Sequence, residues 1–384
     1  MWMTWREAMR TGLYGPAGFY ARGEPPSRHF RTSAHVSSAY AGAMLSLLHE
    51  ADAALGRPAR LDLVDIGAGR GELLGQLLGL IDEATTAGRD GGLAARIAAR
   101  AVEITPRPDG LDPRIRWQAS PPDAITGLVI ASEWLDNIPL DVAELTPDGP
   151  RLVLVETGSG AERPGPPPRP ADLAWSRAWW PLHEPGDRAE LGRTRCQAWA
   201  GVVRRITRGL AVAADYGHLR AGRPRQGTLT GYRDGRVVRA IPDGSRDITA
   251  HVALDACAAA GRAAGAAATV LTTQRQALRA LGVTGRRPPL AQAGDDPLGY
   301  ARALCQASEE AELIDPGGLG AFGWLVQPVG LDLPGPLAHR AAAVSDAARS
   351  AGSYHRSSPR RSPQIGHGHG EERLGVKWWV QGAR

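Results

Sequence analysis

LDLVDIGAGRGELL, residues 61–74, holds the pattern from which the rest of the chain is read. A hydrophobic run (Leu61, Leu63, Val64, Ile66) carries one acid near its end, Asp65, and stops at Gly67, Gly69 and Gly71. Leu73, Leu74, Leu77 and Leu78 follow at helical spacing. The run predicts a buried strand over 61–66, the glycines a tight turn, and the leucines a helix over 71–81. Glycine accepts positive φ and lets backbone approach a ligand closely, so the turn reads as a cofactor loop. Its spacing is G-x-G-x-G. The dinucleotide fingerprint needs a further glycine where this chain has Glu72. A glutamate there sets negative charge against a pyrophosphate at a helix N-terminus, where anions otherwise bind well. The loop therefore suits a ligand without phosphates, such as S-adenosylmethionine, whose sulfonium and amino-acid end favour a nearby carboxylate.

Outward from this stretch, residues 59–140 alternate strand and helix, with further strands expected at 100–104 and 127–131. That rhythm predicts parallel βαβ units in a doubly wound sheet. It breaks at 141–206, where RPGPPPRP (163–170) reads as surface polyproline and tryptophans cluster at 175, 179, 180 and 199. This segment is expected to be an inserted, mostly helical cap. GLAVAADYG (209–217) resumes the α/β pattern, GTLTGYRDGRVV (227–238) reads as a hairpin-like extension, and a helix is expected from Ile248 with Asp247 as its N-cap. A strand near 268–273 and a last one at 322–327 complete the second half. The organisation is thus an N-terminal helical extension (1–58), a first half-domain (59–140), the cap (141–206), a second half-domain (207–330) and a tail (331–384). The tail, rich in Ser, Pro, Arg, Gly and His, is expected to be disordered.

Of the 45 basic residues, 44 are arginine; Lys377 is the single lysine. This skew fits a GC-rich, bacterial genome. The net charge is +5. Residues 331–384 hold eight basic and four acidic residues, so +4 of it resides in the tail. A nucleic-acid binder needs a basic face on its folded part, and no nucleic-acid partner is expected. Cys196, Cys257 and Cys305 are scattered, odd in number and without C-x-x-C spacing, which fits a reducing cytoplasm and no zinc. No apolar run reaches the ~18 residues of a bilayer span. Self-association as a homo-oligomer stays open.

Open α/β sheets bind ligands at the carboxyl ends of their strands. Acids sit at several of those ends: Asp65, Glu103 in AVEITP, Glu133 and Asp136 in SEWLDNIP, and Asp215. Glu103 is placed to accept hydrogen bonds from ribose hydroxyls. Glu133 and Asp136, three residues apart, converge if their segment turns helically, and could orient a nitrogen acceptor or take its proton. Asp215 reads as turn chemistry, and His251 as a helix residue. GHGHG (366–370) is a weak metal-scavenging pattern, and no metal ligand set is assigned. No G-x-S-x-G elbow occurs, so triad hydrolysis is unsupported.

These stretches resemble, in order, the MidA-like S-adenosylmethionine-dependent methyltransferase family, which is related to the mitochondrial complex I assembly arginine methyltransferase. MRTGLYGPAGFYAR is similar to the family's N-terminal element and HFRTSAHVSSAYAGA to its next; LVDIGAGRGELL, AVEITP, SEWLDNIP, ADYG, GTLTGYRDG, RDITAHVAL, TTQRQALRALGV and IDPGGLGAFGWLVQ follow. The resemblance runs from about residue 5 to 328. It implies a class I methyltransferase-type, Rossmann-like doubly wound sheet with S-adenosyl-L-methionine as cofactor. By it, Asp65, Gly67, Gly69 and Gly71 form the cofactor loop and Glu103 grips the ribose. Glu133 and Asp136 line the place where acceptor and cofactor meet. Asp215, Gly227, Tyr232, Asp247, Thr249 and His251 belong to a region closing over the pocket. The chain departs from the family pattern at Ser132, where Asn is usual, at Asn137, where Ala is usual, at Arg28-His29 and at Ser33-Ala34-His35. The related mitochondrial enzyme methylates a protein arginine, and SEW resembles the start of the arginine methyltransferases' double-glutamate loop, with Glu144 as the second acid. The reading favoured is methylation of a protein side chain, an arginine ω-nitrogen first. The alternatives are a non-enzymatic, cofactor-binding assembly or scaffold protein and a small-molecule methyltransferase.

Overall fold

The computed structural model describes residues 1–22 and 33–338; Arg28-His29 and the expected tail from 339 onward lie outside the described residues. Its central sheet has seven strands: β1 (Leu61–Ile66), β2 (Ile97–Val102), β3 (Arg116–Gln118), β4 (Ile125–Ser132), β5 (Ile206–Asp215), β6 (Val270–Thr273) and β7 (Gly323–Val329). They lie in the order β6-β7-β5-β4-β1-β2-β3. β1 pairs in parallel with β2 and β4, β2 with β3, and β4 with β5. β7 runs antiparallel to both β5 and β6.

The helices that matter here are α1 (Trp5–Tyr14), α2 (Ser38–Ala54), α3 (Glu72–Thr86), α4 (Pro170–Trp179), α5 (Arg193–Val203) and α6 (Leu254–Ala263). Every residue of β1 is buried, which is why its sequence is nearly continuous in apolar residues rather than alternating. Successive side chains of a strand point to opposite faces, and the two faces have separate cores. Leu61, Leu63, Leu128, Ile130, Leu210 and Val212 join one core with Tyr40, Met44 and Leu47 of α2 and Leu74 and Leu77 of α3. Val64, Ile66, Val129, Ala131 and Ala213 join the other with Trp175, Trp199 and Cys257 from α4, α5 and α6. A fully buried Leu or Val of this kind contributes about 1.5–3 kcal/mol. Val36, Tyr40, Met44, Leu47 and Leu48, which recur at helical spacing, are all buried.

The expected mostly helical cap is corrected. Residues 141–206 hold strands Asp141–Thr146, Gly149–Glu156, Glu162–Pro164 and Arg188–Leu191 alongside α4 and α5. The N-terminal strand Trp2–Thr4 pairs antiparallel with Gly149–Glu156, so extension and insert share one sheet. Val142, Val153 and Val155 bury against Trp5, Met9 and Leu13 of α1, partners more than a hundred residues away that no local pattern announces. The proline run ends at Pro170 in the first turn of α4, where its missing N–H costs nothing. Among the described residues no helix is long and apolar enough to cross a membrane.

Candidate active site

Strand order reverses between β1 and β4: the chain moves outward through β2 and β3, then returns to build β4 and β5 on the other side. In open α/β sheets the crevice at that switch point, beyond the strands' carboxyl ends, is where ligands bind. Two loops meet there, 67–71 after β1 and 133–137 after β4.

Gly67, Gly69 and Gly71 all have positive φ, at 74°, 62° and 82°. Gly71 is the N-cap of α3, and a Cβ on it would stand 2.8 Å from Leu111 Cδ1. Asp65 is buried just before this turn; burial first, and the nearby Glu72 second, push its pKa up to about 7. Glu103 is buried as well. Its Oε2 accepts the N–H of Gly69 at 3.0 Å, and its Oε1 accepts from the Thr105 N–H (2.9 Å) and hydroxyl (2.6 Å). The acid after β2 therefore braces the glycine loop after β1.

The second loop has no helical turn at its start. Glu133 sits at φ 51°, a conformation that a non-glycine residue holds at a cost of about 1–3 kcal/mol and that clusters at functional sites. Its N–H donates to Ala214 O (2.7 Å), and its Oε1 accepts the Ser33 N–H (3.2 Å). Asp136 is wholly buried, with Oδ2 accepting the Thr249 hydroxyl at 2.7 Å. Glu133 and Asp136 are brought near enough to repel each other, although by this strained bend rather than by a helix. Burial, before any charge effect, raises the pKa of Glu133, Asp136 and Asp215.

Three members of the site take parts that the local sequence pattern does not give them. Asp215, read as turn chemistry, is buried, and its Oδ2 accepts the N–H groups of Trp134 (3.2 Å), Leu135 (2.8 Å) and Asp136 (3.3 Å). Asp247 is not a helix N-cap: it lies in the strand Asp247–Thr249, and the next helix begins at Leu254. Its Oδ1 accepts from the Tyr20 hydroxyl (3.1 Å) and Asn137 Nδ2 (3.2 Å). His251 accordingly stands before that helix, its ring stacked 6.0 Å from Tyr216. Arg195 of α5 is 1% exposed and donates to main-chain carbonyls of both 136–138 and 250–251. One arginine among 44 carries no mark in sequence, whereas Asp215 is marked by its place at a strand end next to β4.

The remaining acceptor capacity is lopsided. Glu133 Oε2, Asp136 Oδ1 and Asp215 Oδ1 are buried and accept no hydrogen bond. Such groups are rare in folded proteins and mark a place for a donor. Left-handed glycines beside buried acids fit a ligand that is cationic and phosphate-free. Among the described residues no group of His, Cys, Asp and Glu is arranged to hold a metal ion.

Comparison with known proteins agrees with this geometry. Residues 47–272, more than half of the chain, match the family described as "Putative S-adenosyl-L-methionine-dependent methyltransferase". The chain is similar in fold to a Burkholderia thailandensis protein described as a "likely methyl transferase" and solved bound to S-adenosyl-homocysteine. The two share 24% identity over 88% of this chain and 91% of that one, with a TM-score of 0.73. An uncharacterized protein from the same organism, in a native crystal, has the same identity and coverage and a TM-score of 0.69. No curated protein matches the chain. With a seven-stranded α/β sheet, a glycine loop at its switch point and a family match over residues 47–272, the chain belongs to the family of S-adenosyl-L-methionine-dependent methyltransferases.

Proposed function

We propose that the chain is a MidA-like enzyme that transfers a methyl group to a protein side chain, with an arginine ω-nitrogen as the favoured acceptor. The observation that carries this reading is the set of three buried carboxylate oxygens without a donor, on Glu133, Asp136 and Asp215. A guanidinium brings five N–H donors in a rigid fork and a positive charge, which matches paired carboxylates. In this reading Asp65 and the glycines 67, 69 and 71 hold the amino-acid end of the cofactor, and Glu103 receives its ribose hydroxyls. When bound, S-adenosyl-L-methionine supplies an electrophilic methyl group on a sulfonium. Glu133 and Asp136 orient the acceptor nitrogen, the buried crevice excludes water, and one of the two carboxylates takes the departing proton.

The same burial favours a second reading, a small cationic or amine acceptor, because none of Glu133, Asp136 and Asp215 is more than 3% exposed. Incubating the protein with methyl-labelled cofactor and host lysate separates the two. The first reading expects labelled protein bands; label confined to small molecules overturns it in favour of the second.

A further inference from the structure

Arg195 stands out among the buried charges because none of its bonds goes to a carboxylate. Its Nε donates to Ile138 O (3.2 Å), Nη1 to Ala250 O (2.7 Å) and His251 O (3.0 Å), and Nη2 to Asp136 O. The guanidinium fork thus joins two segments distant in sequence, the bend after β4 and the turn that follows strand Asp247–Thr249. These are the segments that supply Asp136 and the Thr249 hydroxyl bound to it. Ala250 N–H also donates directly to Asp136 O, at 3.3 Å. The neighbouring Thr194 hydroxyl donates to Pro139 O at 2.8 Å, so the first turn of α5 grips the bend at two points. Burying a cation is costly unless it is compensated, and the carboxylates of Asp136, Glu190 and Asp215 lie near enough to favour its charge. A clamp needed only for packing has apolar substitutes; a planar fork of donors serves where main-chain carbonyls must be held at fixed spacing.

We propose that Arg195 is the positioning residue of the acceptor site: it clamps the main chain at 136–138 to that at 250–251 and thereby fixes where the Asp136 carboxylate points. This rests on the reading of Asp136 as the group that meets the acceptor. It also gives the insert a function, since α5 carries the clamp into the crevice.

The experiment compares wild type, R195A and R195K by calorimetry with S-adenosylhomocysteine, by label transfer to protein, and by amide hydrogen exchange at 249–251. In R195A, S-adenosylhomocysteine affinity stays within about threefold, while label transfer falls about a hundredfold, the loss expected from a displacement near 1 Å. Added methylguanidinium restores part of that transfer and methylammonium does not, because only the former has the fork. R195K fails to restore it, and in both variants the Ala250 amide exchanges faster by about tenfold or more, as an opened local contact does. The proposal is overturned if transfer and exchange stay at wild-type levels, if methylammonium rescues equally, or if cofactor-product affinity falls in step with transfer. If wild type labels no protein, the reading of the acceptor fails alone, and the exchange comparison still decides the clamp. Should R195A not fold, unchanged exchange in R195K overturns the proposal and accelerated exchange supports it.

Discussion

The carboxylate of Asp215, at the end of β5, accepts the main-chain N–H of Leu135, just beyond β4, at 2.8 Å, and the same oxygen also takes the N–H groups of Trp134 and Asp136. One oxygen of one strand thus shapes the loop of its neighbour. D215A strips the acceptor from three buried donors, and each orphaned group costs about 1–3 kcal/mol. Urea unfolding should show D215A destabilised by several kcal/mol. D215N retains a carbonyl oxygen for the same donors and should stay close to wild type. Equal losses in the two variants would show that the charge, not the acceptor geometry, holds the loop.

Asp65 makes stability depend on pH in a defined direction. Its folded pKa of about 7 lies above its ordinary value of 3.8. Between these values the folded protein keeps a proton that the unfolded chain has released. Stability without cofactor therefore falls as pH rises from about 4 to 7, by up to roughly 1.4 kcal/mol per pH unit from this group. D65N has no such proton, so its stability relative to wild type should grow across that window in urea melts taken at each pH. Parallel curves would contradict the assignment.

Gly71 carries both a left-handed φ of 82° and a tight neighbour in Leu111. In G71A the strained backbone costs about 1–3 kcal/mol, and the loop relaxes by moving. Thermal unfolding should drop by several degrees. Calorimetry should show S-adenosylhomocysteine binding weakened about tenfold or more, equivalent to at least 1.4 kcal/mol.

D136N tests the division of labour between the two loops. Asp136 has one oxygen on Thr249 and one with no donor. An amide keeps the first contact and loses the negative charge that the proposed function sets against the acceptor. Product affinity should stay within about threefold while methyl transfer falls by about 10²–10⁴, the range of a lost general base. An equal fall in both would move Asp136 to the cofactor side.

Much of this architecture is legible in sequence because a strand buried on both faces writes itself as an unbroken apolar run. LDLVDI, interrupted only by Asp62 and Asp65, and GLAVAA come close to such runs, and the three glycines after the first all take positive φ. The acids at 65, 103, 133 and 136 could be picked out because strand ends in such sheets are where ligands sit. What stayed hidden depends on partners distant in the chain. The strands at 141–146 and 149–156 bury one face against α1, more than a hundred residues earlier, so their alternation is weak where it is read. Asp247 looks like a cap because acids before helices usually are caps. Tyr20 and Asn137 instead draw it into a strand, and neither contact has a local signature. Arg195 is invisible for a compositional reason, since abundant arginines mask a single one that matters.

β7 is the last described strand of the sheet, yet it lies between β5 and β6. A chain made from its N-terminus therefore carries β5 with an open, apolar edge throughout the synthesis of residues 216–322, and β6 has nothing to pair with until β7 arrives. Exposed edges of this sort recruit other chains. Ribosome-bound intermediates of this protein are therefore expected to be the species in which aggregation competes with folding, and the threading of 323–329 into the gap the step that ends the competition.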